Sequence, residues 1–183
     1  MIEIEIENDL NEKIQAFFGR EGGKVNKLLD KALRKTTAYI NKNVKKEIKA
    51  NYEVFPGLVS PGMKMLTKNR ESTLLASAKR KDISDFYVSN MSPARSKSKL
   101  LAKVRKKNGT TEMKTMFWAF YKNNTSKLGL FIRNRERNHI ARVKSASSFQ
   151  MANNALSEDV IKGANEIFNK SLEEAFRKEL DNV

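Results

Sequence analysis

The stretch KVNKLLDKALRKTTAYINKNVKKEIKA, residues 24–50, sets Val25, Leu28, Leu29, Ala32, Leu33, Thr36, Tyr39, Ile40, Val44 and Ile48 at steps of three and four. That spacing draws one stripe down an α-helix about 40 Å long. The opposite face holds Lys31, Arg34, Lys35, Lys42, Lys45, Lys46 and Lys49. So long an amphipathic helix needs a surface on which to bury its stripe. The alternating segments that follow it predict a sheet for that purpose.

Working outward, residues 1–7 alternate Ile2, Ile4 and Ile6 with Glu3, Glu5 and Glu7, a half-buried strand. Asp9 can cap a short helix through Phe18, which Gly19 and Gly22-Gly23 then end. Downstream, Phe55-Pro56-Gly57 and Ser60-Pro61-Gly62 are loop punctuation. Period-two segments follow: Glu71–Lys79, a short piece around Phe86-Tyr87-Val88, and Lys99–Arg105 with Leu100, Ala102 and Val104 inward. Lys106-Lys107-Asn108-Gly109 predicts a type I′ hairpin turn. Lys114–Tyr121 is apolar on both faces, Asn123–Lys127 predicts a turn, and Leu128–Arg133 and His139–Lys144 predict two more strands. From Ser157, a good N-cap, the period returns to 3.6 through Val160, Ile161, Ala164, Ile167, Phe168, Leu172, Phe176 and Leu180. The expectation is one α+β domain over 1–183: an N-terminal strand, the basic helix 24–50, an antiparallel β-meander within 71–144, and a C-terminal helix 157–182.

Composition narrows the chemistry. The 183 residues hold no cysteine and a single histidine, His139, so thiolate sites and multi-histidine metal centres are excluded. No apolar run approaches the roughly 20 residues of a membrane span, and the acidic start has no export pattern. The expectation is a soluble chain with no membrane partner. The net charge is +15, unevenly placed: residues 1–24 and 156–183 carry −3 each, which leaves +21 on 25–155. A cationic centre of that size calls for a polyanionic or acidic partner.

Three catalytic or metal patterns fail on inspection. Gly22-Gly23-Lys24 lacks the first glycine and the final Ser/Thr of a phosphate loop, since Phe18 and Val25 stand there. Glu3, Glu5 and Glu7 would lie roughly 7 Å apart along a strand, too far to share one cation unaided. His139 has serines nearby at 145, 147 and 148 but no acid in local sequence to orient it, and 145–148 reads as a plain loop. No catalytic residue, cofactor or metal ligand is assigned, and the chain is expected not to be an enzyme.

Two basic clusters remain as contact candidates, with a solvated surface or a dock for an acidic protein as the alternatives: Arg95, Lys97, Lys99, Lys103, Arg105, Lys106 and Lys107, then Arg133, Arg135, Arg137 and Arg142, with Lys144 closing the second run. Lys99, Lys103 and Arg105 would form a cationic stripe on one strand face, suited to sequence-independent phosphate contact. Met116, Trp118, Phe120 and Phe131 are the candidates for a subunit interface.

The order of these pieces resembles the phage minor tail protein Z family, tail completion proteins of long-tailed phages and prophages. Trp118–Phe120 stands for that family's aromatic strand, and Gly129-Leu130-Phe131-Ile132-Arg133 for its Gly-Val-Phe-x-Arg strand. Ile140 stands for the Pro-Ile strand, with His139 in place of proline. Ser145–Met151 occupies the Gly-Pro-Ser-x-Pro-Gln-Met loop, keeping Ser147, Gln150 and Met151 without the glycine and proline. The resemblance implies a structural virion protein at the head-proximal end of the tail. It implies a homo-oligomeric ring, a hexamer by expectation, assembled in the host cytoplasm. Its partners would be tail terminator, tail tube or neck proteins, with contact to genomic DNA. The alternative is a stand-alone nucleic-acid-binding protein using the basic centre.

Overall fold

The computed structural model describes residues 8–60, 62–68, 71–89, 100–122, 124–134 and 139–180. The fold is α+β, with a long helix, several small antiparallel sheets and a C-terminal helix, as the periodicities predict. The strand expected over 1–7 lies outside the described residues. The sequence reads as one domain, and the residues gather into two compact units. The first comprises Met1–Lys45, Lys64–Leu75 and Ala155–Val183; the second comprises Lys46–Met63 and Ala76–Asn154.

Helix α1 runs unbroken over Asn8–Asn51. The expected stop at Gly19 and Gly22-Gly23 is therefore wrong. A glycine costs a helix only about 1 kcal/mol relative to alanine, and no proline is present there to remove a hydrogen bond. The predicted stripe is the buried one: Val25, Leu28, Ala32, Thr36, Ile40, Val44 and Ile48 are all buried. Thr36 enters this face without an orphaned hydroxyl, because Oγ1 donates to the Ala32 carbonyl at 3.0 Å. Most of the basic face, including Lys31, Arg34, Lys42 and Lys49, is exposed.

In the first unit, Val25, Leu28 and Ala32 pack with Phe168, Leu172, Ala175 and Phe176 of α3 (Glu158–Leu180). Here the stripe meets a helix, not the sheet expected for it. The reason lies in α3, whose own i, i+4 stripe presents a matching apolar face, so the two helices cover each other. Ser157 caps α3 as predicted, its Oγ accepting the Val160 N–H at 3.4 Å. A hairpin of β1 (Met63–Lys68) and β2 (Glu71–Ala76) also belongs to this part of the chain. The sequence did not predict β1, because MKMLTK has no clean alternation.

The second unit holds small antiparallel sheets where one meander was expected. Strand β3 (Arg80–Asp82) pairs with β10 (Lys144–Ser147). Strands β4 (Tyr87–Val88), β5 (Leu101–Lys103) and β6 (Thr111–Glu112) form a second sheet. Strands β7 (Met116–Tyr121), β8 (Asn124–Asn134) and β9 (His139–Arg142) form a third. Their common core is Ile83, Val88, Ala102, Trp118 and Leu130, edged by Leu100, Val104, Met116 and Leu128.

Three local expectations need correction. The turn at 106–109 does connect a hairpin, but it joins β5 to the two-residue β6, with Leu101 opposite Glu112. It is not type I′: the Asn108 N–H closes a turn on the Arg105 carbonyl at 3.1 Å, and neither Asn108 nor Gly109 takes positive φ. Thr115 does, at φ 65°, in the short link between β6 and β7. The turn expected over 123–127 is shorter, because β8 already begins at Asn124 opposite Tyr121.

The plain loop expected at 145–148 is strand β10 followed by helix α2 (Ser148–Ala155). Ser147 Oγ accepts the Gln150 N–H at 3.1 Å, and Gln150 Oε1 accepts the Ser147 N–H at 3.0 Å. This reciprocal pair is a capping box, written in the sequence as Ser-x-x-Gln.

Candidate nucleic-acid interface

The β7–β8–β9 sheet has two unlike faces because its register fixes which residues share a side. Phe117 lies opposite Phe131, Trp118 opposite Leu130, and Ala119 opposite Gly129. On the far edge Phe131 lies opposite Arg142 and Arg133 opposite Ile140. Met116, Trp118, Leu128 and Leu130 therefore point into the core, as their burial shows. Phe117, Phe131, Arg133, Ile140 and Arg142 point the other way, where the phenylalanines are half-buried and the other three exposed.

Aromatic rings knit this outer face together. Phe117 and Phe131 stack with centroids 6.2 Å apart, and Tyr121 meets Phe131 edge-on at 5.7 Å. Tyr121 follows a bulge in the β7–β8 pairing, and its ring lies where a side chain on Gly129 would be: a β-carbon there would come within 2.8 Å. Glycine is needed at 129 for that close approach. Two cations sit over the same ring, the Arg142 guanidinium at 4.3 Å and Lys127 Nζ at 5.4 Å from the centroid.

A polar clamp holds the tyrosine from below. Its hydroxyl donates to Asp82 Oδ2 at 2.8 Å, and Lys144 Nζ pairs with Asp82 Oδ1. Lys144 and Asp82 are direct partners in the β3–β10 ladder, so the strand register itself brings them together. Burial opposes ionisation of Asp82, yet the hydrogen bonds from Lys144 and Tyr121, with the charges of Lys144 and Arg142, hold its carboxyl below the ordinary value. Burial, then the hydrogen bond to this carboxylate and its charge, push the Tyr121 phenol up to about 12. Asp85 moves upward, through burial and then the nearby charge of Asp82. The clamp pairs an ionised carboxylate with a neutral phenol and so positions the ring.

The predicted contact residues scatter. Arg133, Arg142 and Phe131 come together on the outer face. Lys103 is half-buried and pairs with Glu53 at 3.7 Å, and the Arg105 guanidinium lies 5.7 Å from the Tyr52 ring centroid. The expected stripe on β5 is thus divided, because residues 52–54 run alongside: Tyr52 bridges to Arg105, and the Glu53 N–H donates to the Val104 carbonyl. Lys106 and Lys107 are exposed in the turn. Arg95, Lys97, Lys99, Arg135 and Arg137 lie outside the described residues.

Of the interface candidates, Trp118 is a core residue at 7% exposure, and half-buried Met116 packs against the same core. An aromatic in a strand that is apolar on both faces had to be buried on one of them. Phe120 remains, 49% exposed. Sequence reasoning placed Lys144 in the second basic run and Phe117 and Tyr121 in an apolar strand, but did not single out Lys127 or Asp82. The signal that joins Phe117 to Phe131 on one face was the odd-numbered alternation of 117–121 with 129–133, legible once the two strands are paired.

Among the described residues no three His, Asp or Glu side chains gather closely enough to hold a metal ion, and no helix is long and apolar enough to cross a membrane. No family model, curated protein or solved structure matches the chain.

Proposed function

We propose that this chain is a structural assembly protein of a phage-type tail, completing the tail at its head-proximal end as a ring of copies. The observation that carries the reading is the run from β7 to α2. Four residues that resemble the tail completion family have structural tasks there. Gly129 admits the Tyr121 ring, Ser147 and Gln150 form the capping box, and Met151 is fully buried. The departures from the family pattern also have a physical account. Where the family carries glycine and proline, Ser145 and Ala146 keep their backbone N–H groups and lie in β10, a strand that proline would interrupt.

On this reading the chain is not an enzyme and needs no cofactor. Its partners are further copies of itself and the tail tube, terminator or neck proteins, in the virion after assembly in the host cytoplasm. Phe120 is the interface candidate that stays exposed.

The test is mass determination by light scattering, with electron microscopy of the same sample. A closed ring is expected, and Phe120→Asp should shift it toward monomer without lowering the melting temperature. A chain that stays monomeric at high concentration, and is absent from purified particles, would overturn the reading.

A further inference from the structure

We propose that the outer face of the β7–β8–β9 sheet binds single-stranded nucleic acid, with Phe117 and Phe131 stacking on bases and Lys127, Arg133 and Arg142 holding phosphates. Three observations carry this. The strands contain no Asp or Glu at all, so the face is cationic by composition. Its cations lie beside its rings: Arg142 lies opposite Phe131, Phe131 opposite Phe117, and Arg142 and Lys127 flank the Tyr121 ring. Among the described residues, Asp82 beside it is engaged by Lys144 and Tyr121, and the charge of Asp85 is felt by Lys127.

The rings decide between polyanions. Phosphates of a duplex, or carboxylates of an acidic protein, would be served by the cations alone. Partly exposed phenyl rings beside cations match a chain that alternates charged phosphate with an uncovered planar base. A duplex hides those base faces in its own stack. The ring–cation contacts also hold Arg142 and Lys127 in place before binding, so less side-chain entropy is lost on contact.

The test is fluorescence anisotropy on the full chain with a labelled oligothymidylate, a duplex of equal length and polyglutamate as competitor, over a salt series. The wild type should prefer the single strand to the duplex and release it only weakly to polyglutamate. Lys127→Ser with Arg133→Ser and Arg142→Ser should reduce the slope of log affinity against log salt by about 2, at about 0.7 per lost phosphate contact. Phe117→Leu with Phe131→Leu should weaken single-strand binding about tenfold or more with the slope unchanged. If that pair melts early, each leucine variant is read singly.

Equal affinity for duplex and single strand, indifference to the leucine variants, or an unchanged salt slope in the triple variant would each overturn the inference. It stands apart from the assembly reading. A ring that ignores single strands sinks only the inference, and a monomer that binds them sinks only the ring.

Discussion

Replacing Gly163 with alanine should destabilise the protein, although alanine is the better helix former. Gly163 lies in the second turn of α3, and a β-carbon there would meet Tyr39 Oη at 2.1 Å, Cζ at 2.9 Å and Cε1 at 3.2 Å. The first contact is roughly 1.3 Å inside an ordinary van der Waals separation. Alanine contributes about 1 kcal/mol of helix propensity. Overpacking costs about 1–3 kcal/mol, and a shift of the rigid ring by more than an ångström belongs in the middle of that range. The net expectation is a loss of about 1 kcal/mol. Removing the obstacle reverses the sign: in a Tyr39→Ala background Gly163→Ala should stabilise by about 1 kcal/mol, a coupling of about 2 kcal/mol. Tyr39→Phe should fall between, because the hydroxyl goes while the 2.9 Å contact stays. Urea midpoints of the four corners of the cycle measure this directly. If Gly163→Ala stabilises the wild type as much as the Tyr39→Ala background, the close packing of α1 and α3 at this point is refuted.

Ser147→Ala removes the cap from α2 at a site only 2% exposed and should cost about 1–2 kcal/mol by chemical denaturation; a change below 0.3 kcal/mol, roughly, would refute the capping box. Thr115→Gly should raise stability by about 1 kcal/mol, because a β-branched residue at φ 65° is strained and glycine is not, and a lowered melting temperature would contradict it. Of the four tyrosines, one should release its proton only near pH 12 in a phenolate absorbance titration, and Asp82→Asn should bring it back toward the ordinary range. The matching stability follows from the signs. Tyr121's raised value gives a contribution present below about pH 10 that is lost as pH rises through about 12, while Asp82's lowered value gives one lost as pH falls below the ordinary carboxylate range.

The helices were legible because each carries its own evidence. Val25 to Ile48 and Val160 to Phe176 repeat at helical spacing over many turns, and Ser157 announces its helix. What that periodicity does not specify is the partner: two amphipathic stripes look alike whether they face a sheet or each other. Glycines misled for a related reason. Gly19, Gly22 and Gly23 weaken a helix without ending one, and only the neighbouring turns decide. In the β region the individual strands were largely visible, but their pairing depends on turn length. A turn centred on Asn-Gly and a two-residue β6 are separated by less energy than local sequence can resolve.

The proposed contact face differs from the segment that counting charges along the chain favours. The densest acid-free run, Arg95–Lys107, looked the stronger candidate, yet residues 52–54 run beside its described end and bring Glu53 to Lys103 and Tyr52 to Arg105. Lys127, Arg133 and Arg142 are spread over sixteen residues, with six apolar or glycine positions at 128–132 and 140 among them. Antiparallel register folds that spread onto one sheet face and sets the odd-numbered rings between the cations. A surface assembled by register keeps its spacing only while the ladder holds. The Asp82–Tyr121–Lys144 clamp ties that ladder to the β3–β10 pair, and so, on the proposed single-strand reading, it should matter to binding as well as to stability.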